Sequence, residues 1–191
     1  MPKIVDHEER KRCIVERALE LFAHRGFSET GFADIAEACG LSRTHLYHYF
    51  RSKDEIFLYA VEGALGRIAS GIEEIAQRND LLLRDKLAHA FSLFAESRTN
   101  GTHAPILLEL AMKLRKENTL IAARLHEQIR VLNQSVVSLL RGVGSEIQES
   151  RVPLVASVFF ALVESTLLSS LFADAALIQE HIGEMVQMLG C

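Results

Sequence analysis

Apolar residues recur at helical spacing along almost the whole chain. In the first stretch Ile14, Ala18, Leu21 and Phe22 form one stripe, and Gly26 follows where a helix would end. The 191 residues include only three prolines and no tryptophan. The pattern therefore predicts an all-α protein of about nine helices. Beyond residue 52 the predicted helices span about residues 53–77, 82–98, 103–116, 119–141, 150–172 and 175–189.

A tight pair of helices is predicted between residues 30 and 50. Thr30 is placed to cap the first helix, with Ile35, Ala36 and Ala38 on its inner face. Gly40 follows where that helix must end, since glycine adopts the left-handed C′ conformation without steric cost. Ser42 is the expected cap of the second helix. Two short helices joined by such a turn constitute a helix-turn-helix.

The second helix of this pair has a polar outer face. Packing through Leu46, Tyr49 and Phe50 leaves five residues outside, namely Arg43, Thr44, His45, Tyr47 and His48. This face suits a DNA major groove, with its first turn at the base edges. There Arg43 is expected to read guanine O6 and N7, and the Thr44 methyl to meet thymine.

Contacts to the DNA backbone are expected beside that face. Tyr47 and His48 are predicted to contact phosphates or the groove, and Lys53 to contact a phosphate at the start of the next helix. The full set of predicted DNA-binding residues is Thr30, Arg43, Thr44, His45, Tyr47, His48 and Lys53.

The motifs of the first 55 residues resemble those of the TetR family of one-component bacterial regulators. They are a first helix ending in ALELFAHRGF, the pattern T-x-F-x-x-IA-x-x-x-G-L-S, a recognition helix LYHYF and the following SKDEIF. Two positions depart from the family pattern. Gly31 takes the N1 position, where Ser or Thr is usual, and His45 stands where a small residue is common.

The resemblance implies a domain organisation and a function. It implies a three-helix DNA-binding domain over residues 1–52 and a ligand-binding and dimerisation domain over residues 53–191. The implied function is a transcriptional regulator, most often a repressor, that a small-molecule inducer releases from a palindromic operator. The sequence does not identify that inducer.

Composition indicates a globular protein rather than a disordered chain, and it leaves DNA binding open. With 49% hydrophobic and 24% charged residues, the chain is globular. Its net charge is −4, and residues 1–55 carry nine Lys and Arg against ten Asp and Glu. The segment from Gly40 to Lys53 nevertheless has Arg43, Arg51, two histidines and no acid. Phosphate binding depends on such a local face rather than on the total charge.

The chemistry for metals, cofactors and catalysis is missing from the sequence. Three cysteines are too few for a disulfide framework or a zinc site, so reduced thiols and no metal or cofactor are expected. The charged N-terminus has no signal-peptide pattern, which favours the bacterial cytoplasm, at the nucleoid. No HExxH, GxSxG or Glu-x-x-His pair is present, so no catalytic residues are predicted. The rival hypotheses are a ligand-independent DNA-binding protein with a filled core and an all-α enzyme or lipid carrier.

The segment from Leu154 to Ala173 is apolar on nearly all sides. A membrane span is the alternative interpretation, but Glu164, several Ser and Thr residues and the lack of basic flanks argue against it. A helix that is apolar all round is otherwise buried on all sides. A homodimer formed through the last two helices would bury it, and this is also the arrangement that the resemblance implies.

The resemblance also implies a ligand cavity within the helices after residue 55. The candidate ligand-binding residues are Phe94, His103, Leu107, Leu110, Met112, Phe160, Glu164 and Leu167. Most of them are equally compatible with ordinary core packing. Glu164 differs, because a carboxylate within an apolar helix must be paired, neutral or in contact with a ligand. The alternatives are an internal partner, Arg115 or Arg124, and a cationic ligand.

Overall fold

The computed structural model describes residues 7–99, 119–142 and 147–169. These residues form seven α-helices and one 3-10 turn, Glu149–Arg151, and contain no strand, which confirms the predicted all-α class. The predicted helices near 103–116 and 175–189 lie outside the described residues. The helices are α1 (His7–Arg25), α2 (Phe32–Ala38), α3 (Arg43–Leu46), α4 (Lys53–Ala76), α5 (Leu83–Thr99), α6 (Thr119–Arg141) and α7 (Val152–Ser169).

Two glycines end the first two helices as their positions predict. Gly26, at φ 85°, follows α1, and Gly40, at φ 63°, follows α2. At the end of α2 the Gly40 amide donates to Glu37 O at 2.9 Å and the Leu41 amide to Ala36 O at 2.9 Å. This pair of hydrogen bonds is the Schellman arrangement, which satisfies carbonyls that the helix leaves open.

The start of α2 differs from the prediction. Gly31, not Thr30, is the N-cap, and its amide donates to the Asp34 carboxylate at 2.7 Å. The Thr30 hydroxyl instead donates to Gly26 O at 2.7 Å, so Thr30 closes the end of α1 rather than opening α2. Gly31 is therefore not at N1. Ala38, expected on the inner face of α2, is exposed.

The described residues divide into two compact units. The first, which we call the head, comprises residues 7–63 and 119–126. The second, which we call the body, comprises residues 64–99, 127–142 and 147–169. The predicted boundary at residue 52 coincides with the start of α4, whereas the two units divide within α4, after Gly63. Both α4 and α6 contribute residues to each unit.

The body is built around an apolar core supplied by four helices. Ile72 of α4, Leu87 of α5, Val136 of α6 and Phe159 of α7 are buried members of it. Gly71 permits a close approach between α4 and α5, because a methyl group placed on it would lie 2.7 Å from Leu93 Cδ1. Among the described residues, no helix combines the length and the apolar character that crossing a bilayer requires.

Two glycines of α4 provide a test of this packing. We expect Gly66→Ala to raise the free energy of unfolding by about 0.5–1 kcal/mol, because alanine favours a helix and its methyl would meet open space. Gly71→Ala should give a smaller gain or none, because Leu93 must rotate away. Urea unfolding measures both effects.

The matched control for these variants is Gly40→Ala. It should destabilise the protein by about 1–2 kcal/mol, because the backbone there is left-handed. Equal gains from Gly66→Ala and Gly71→Ala would contradict the close approach of α4 and α5.

Candidate nucleic-acid interface

The short helix α3 begins at a capped serine and ends after one turn. The Ser42 hydroxyl accepts a hydrogen bond from the His45 amide at 3.1 Å, so the predicted N-cap is in place. After Leu46 the hydrogen bonds tighten: the His48 amide donates to His45 O and the Tyr49 amide to Leu46 O. Because these are i to i−3 bonds, Tyr47 and His48 lie in turns that follow the helix rather than within it.

The side chains of this segment divide into a buried set and an exposed set. Leu46 and Phe50 are buried and Tyr49 is half-buried, so they face the interior of the head. The five residues with predicted DNA contacts are all exposed: Arg43, Thr44, His45, Tyr47 and His48. The structure thus places the basic and hydrogen-bonding groups together on one outer surface, which we call the α3 face.

Ring contacts connect the α3 face to α1. His45 lies 6.0 Å from His48 and 5.8 Å from Tyr49 between ring centroids. Tyr49 also stacks on His7 of α1, at 4.9 Å. The exposed groups are therefore tied by ring contacts to the first turn of α1.

Lys53 has contacts that the sequence did not predict. Its ammonium group donates to three backbone carbonyls, those of Phe27 at 2.6 Å, Ser28 at 3.3 Å and Thr30 at 2.9 Å. The same nitrogen lies 4.6 Å from the centroid of the Phe27 ring. An ammonium has three N–H donors, and here three carbonyls accept from them. These bonds give Lys53 a structural role and occupy the donors that the predicted phosphate contact would need.

Thr30, which was also predicted to bind DNA, is buried. Its side chain is 0% exposed, and its hydroxyl is used by the Gly26 carbonyl. A side chain with no accessible surface cannot reach a phosphate. The two corrections share one cause, since Thr30 and Lys53 both hold the segment between α1 and α2.

The start of α4 carries a capping arrangement close to the predicted one. The Ser52 hydroxyl accepts from the Glu55 amide at 3.2 Å, as expected of a capping box. The Glu55 carboxylate accepts from the amide of Arg51 rather than that of Ser52. The chain between α3 and α4 is therefore held at both Arg51 and Ser52.

A further polar contact, which the sequence did not predict, joins α4 to α1. The Tyr59 hydroxyl of α4 donates to the Glu8 carboxylate of α1 at 2.8 Å, and Lys11 donates to the same group at 3.3 Å. These donors hold the pKa of Glu8 below its ordinary value. Partial burial raises the pKa of Tyr59, and the hydrogen bond to Glu8 raises it further. Fifty-one positions separate the two residues, and no local spacing signals such a pair.

The ligand-binding candidates are only partly within the described residues. Phe94 is buried and Phe160 half-buried, and their rings meet at 6.5 Å between centroids. Both belong to the core of the body or pack against it. Five candidates have side chains outside the described part of the chain: His103, Leu107, Leu110, Met112 and Leu167.

Glu164 does not have the surroundings that the sequence suggested. It is exposed on α7, and the apolar residues of the described part of the chain do not enclose it. Arg124, one of its two suggested partners, pairs instead with Glu62 at 3.2 Å within the head. Arg115, the other, lies outside the described residues. A carboxylate that water reaches in the single subunit requires neither an internal partner nor a ligand.

The two cysteines that the structure describes lie in different surroundings. Cys13 is exposed, and Cys39 is half-buried at the end of α2. Burial, together with the neighbouring Cys13, raises the pKa of the Cys39 thiol, so its reactive thiolate form is disfavoured. Across the described residues no three His, Cys, Asp or Glu side chains are grouped as metal ligands would be.

Comparison with known proteins places the head in a recognised group. Residues 14–60 match the model for bacterial regulatory proteins of the tetR family. The chain is 36% identical over 87 residues to the HTH-type transcriptional regulator PksA of Bacillus subtilis, covering 46% of this chain and 42% of that protein. It is 34% identical over 92 residues to the HTH-type transcriptional repressor Rv1474c of Mycobacterium tuberculosis, covering 46% and 47%. The chain thus spans less than half the length of these curated relatives.

The likeness to a solved structure extends further along the chain. A crystal structure described as a TetR-family transcriptional regulator from Mesorhizobium loti superposes with a TM-score of 0.78 and covers 96% of each chain. Sequence identity over that superposition is 18%, so the likeness is one of fold. Helices of the head and of the body both fall within the matched length.

The role of Lys53 can be tested by Lys53→Met, which keeps most of the length of the side chain and removes its donors. We expect the free energy of unfolding to fall by about 1.5–3 kcal/mol, because carbonyls of the segment between α1 and α2 lose a charged donor. Arg51→Met is the control, since that side chain is exposed and its loss should change stability by less than about 0.5 kcal/mol. Unchanged stability combined with weaker binding to any duplex DNA would restore the phosphate contact.

Proposed function

We propose that this chain belongs to the tetR family of bacterial regulatory proteins and is a sequence-specific DNA-binding transcriptional regulator, most simply a repressor. The observation that carries the proposal is the α3 face. An arginine, two histidines, a threonine and a tyrosine are exposed together on it, while the apolar residues between them are buried. No acid lies between Gly40 and Lys53 to repel a phosphate backbone.

The roles of the exposed residues follow from their positions. Arg43, Thr44 and His45 lie in the single turn of α3 and are the proposed contacts to base edges. Tyr47 and His48 lie in the turns beyond it and are the proposed contacts to phosphates or to the groove wall. The net negative charge of the whole chain would limit indiscriminate binding, because the attractive surface is confined to this face.

Dimerisation is proposed through α7 and the helix predicted after it. The exposed side of α7 includes Leu154, which is 61% exposed, and Ala161. A second copy would cover this side and place two α3 helices on one duplex. A palindromic site requires them about 34–36 Å apart, one turn of DNA.

Release by a small molecule is proposed to act as a competition between two shapes of that dimer. A ligand bound in the body would favour the shape in which the two α3 helices no longer match successive grooves. α4 is the proposed carrier of the change, since it runs from the head into the body. Such coupling typically amounts to about 1–3 kcal/mol, and operator DNA must then weaken ligand binding by the same factor.

The function can be tested with the DNA upstream of the gene that encodes this chain. We expect a gel shift whose affinity falls steeply with salt and exceeds that for random duplex of the same length. A reporter placed behind the bound site should be silenced when the protein is present. Activation of the reporter would overturn repression, and binding without any sequence preference would overturn specific regulation.

Arg43→Ala tests base reading directly. We expect it to weaken binding to the operator by about 1–3 kcal/mol and to relax the preference at one base pair, with a smaller effect on random DNA. Arg51→Ala is the matched control, because an exposed arginine that meets only phosphates should lose affinity equally on both duplexes. Titrations against both duplexes supply the numbers. Equal losses for Arg43→Ala would contradict a base contact.

Ala161→Arg tests the proposed dimer. The side chain is exposed in the single subunit, so the subunit should fold, but a charge buried between two copies is costly without a partner. We expect sedimentation velocity to show a monomer and operator affinity to fall by at least about tenfold. Ala123→Arg, at an exposed position of α6, should leave the dimer intact. A dimer that persists with Ala161→Arg would exclude this side of α7.

A further inference from the structure

The Tyr47 ring lies beside Arg43, and the Phe32 ring packs against Tyr47. Tyr47 follows Arg43 by four residues, and its ring centroid lies 6.0 Å from the guanidinium carbon of Arg43. The Tyr47 ring also packs against Phe32, the first residue of α2, with centroids 4.8 Å apart and ring planes inclined by 39°. The guanidinium and the two rings form one array that joins both helices of the helix-turn-helix. We call this array the Arg43 platform.

The rings of the platform lie at the edge of the head rather than in its core. Tyr47 is 48% exposed and Phe32 is half-buried. Ile35, Leu46 and Phe50 are the buried residues of this region. The ring pair is therefore part of the same surface that carries Arg43, and its loss would remove little buried area from the core.

Ring packing restrains a guanidinium without using its donors. The N–H groups of arginine lie in the guanidinium plane, whereas an aromatic ring contacts the flat face of that plane. A carboxylate partner would occupy the same N–H groups that a guanine base needs. None of the ion pairs within the described residues involves Arg43. Its hydrogen-bonding edge therefore remains available to a base.

This restraint bears on specificity rather than on general attraction to DNA. A long side chain loses rotamer freedom when one base holds it, and a side chain that is already restrained loses less. The attraction of Arg43 to phosphates depends on its charge, which the rings do not change. The platform should thus affect the difference in affinity between operator and random DNA.

We propose that Phe32 and Tyr47 are positioning residues that hold the Arg43 guanidinium in place for base recognition. Phe32 lies on the helix that is not expected to enter the groove, and it acts only through Tyr47. The inference rests on the proposed function, because it requires Arg43 to read a base.

The first arm of the test uses the free protein and needs no DNA. In the NMR spectrum of the chain, ring currents from Tyr47 should displace the side-chain signals of Arg43, which Arg43→Lys identifies by their loss. Tyr47→Leu should abolish the displacement and Tyr47→Phe should keep it. Thermal unfolding should change little in either variant, since Tyr47 is 48% exposed and is not one of the buried core residues. No displacement in the wild-type protein would overturn the platform whatever the protein binds.

The second arm measures binding to a duplex that the wild-type protein selects from a random pool, and to an unselected duplex, over a range of salt concentrations. Tyr47→Leu should lower the preference for the selected duplex by about two- to fivefold, with an unchanged salt slope. Phe32→Leu should have a similar but smaller effect, and Tyr47→Phe should have none. In the Arg43→Ala background, Tyr47→Leu should cause no further loss of preference.

Two results in this arm would overturn the proposal. If Tyr47→Leu and Arg43→Ala lower the preference independently, Tyr47 does not act through Arg43. If Tyr47→Phe lowers the preference for the selected duplex as much as Tyr47→Leu, the hydroxyl and not the ring sets that preference, and Tyr47 does not act by packing on Arg43. If the wild-type protein selects no sequence, the proposed function fails, and the first arm still decides whether the platform exists.

Discussion

The geometry of the head depends on one ammonium group. Lys53 opens α4, and its nitrogen donates to carbonyls of Phe27, Ser28 and Thr30 in the segment that leads from α1 to α2. Buried or half-buried carbonyls outside a regular helix need such donors, because each one left unpaired carries a desolvation cost. One side chain thus ties α4 to the segment that sets where α2 begins, and α3 follows α2 after a single Schellman turn.

Two further contacts hold α1, α4 and the segment between α1 and α2 together. Thr30 closes the end of α1 through Gly26, and Tyr59 fastens α4 to Glu8 in the first turn of α1. The apolar residue of α3, Leu46, packs inward, so only the polar residues of α3 lie outside. Orientation of the α3 face is therefore a consequence of packing among α1, α2 and α4, since α3 itself has only one turn.

Charge in this protein is arranged locally. The chain as a whole is acidic, yet the stretch around α3 contains no acid, and the ion pairs of the described residues lie elsewhere. Exposed pairs of this kind contribute little to stability. Leaving Arg43 without such a partner costs the folded protein little, while it keeps the hydrogen-bonding edge open for a ligand. Ring contacts restrain the same side chain without closing that edge.

The sequence by itself determined the helices of the described residues and the side of α3 that faces outward. Periodicity, capping residues and glycines at left-handed positions are local signals, and they correctly predicted the ends of α1 and α2, the Ser42 cap and the exposure of five residues on the α3 face. The resemblance of the first 55 residues to the TetR family also followed from their motifs, and the match of residues 14–60 to the model of that family agrees with it.

Contacts between residues distant along the chain were decided only by the tertiary structure. Lys53 and Thr30 look like surface groups in the sequence, yet one binds carbonyls more than twenty positions away and the other is buried. Glu164 looks enclosed because its neighbours along the helix are apolar, yet it lies on the exposed side of α7. In each case the outcome depends on whether another part of the chain packs against the side chain, and the spacing of residues within one helix carries no information about that.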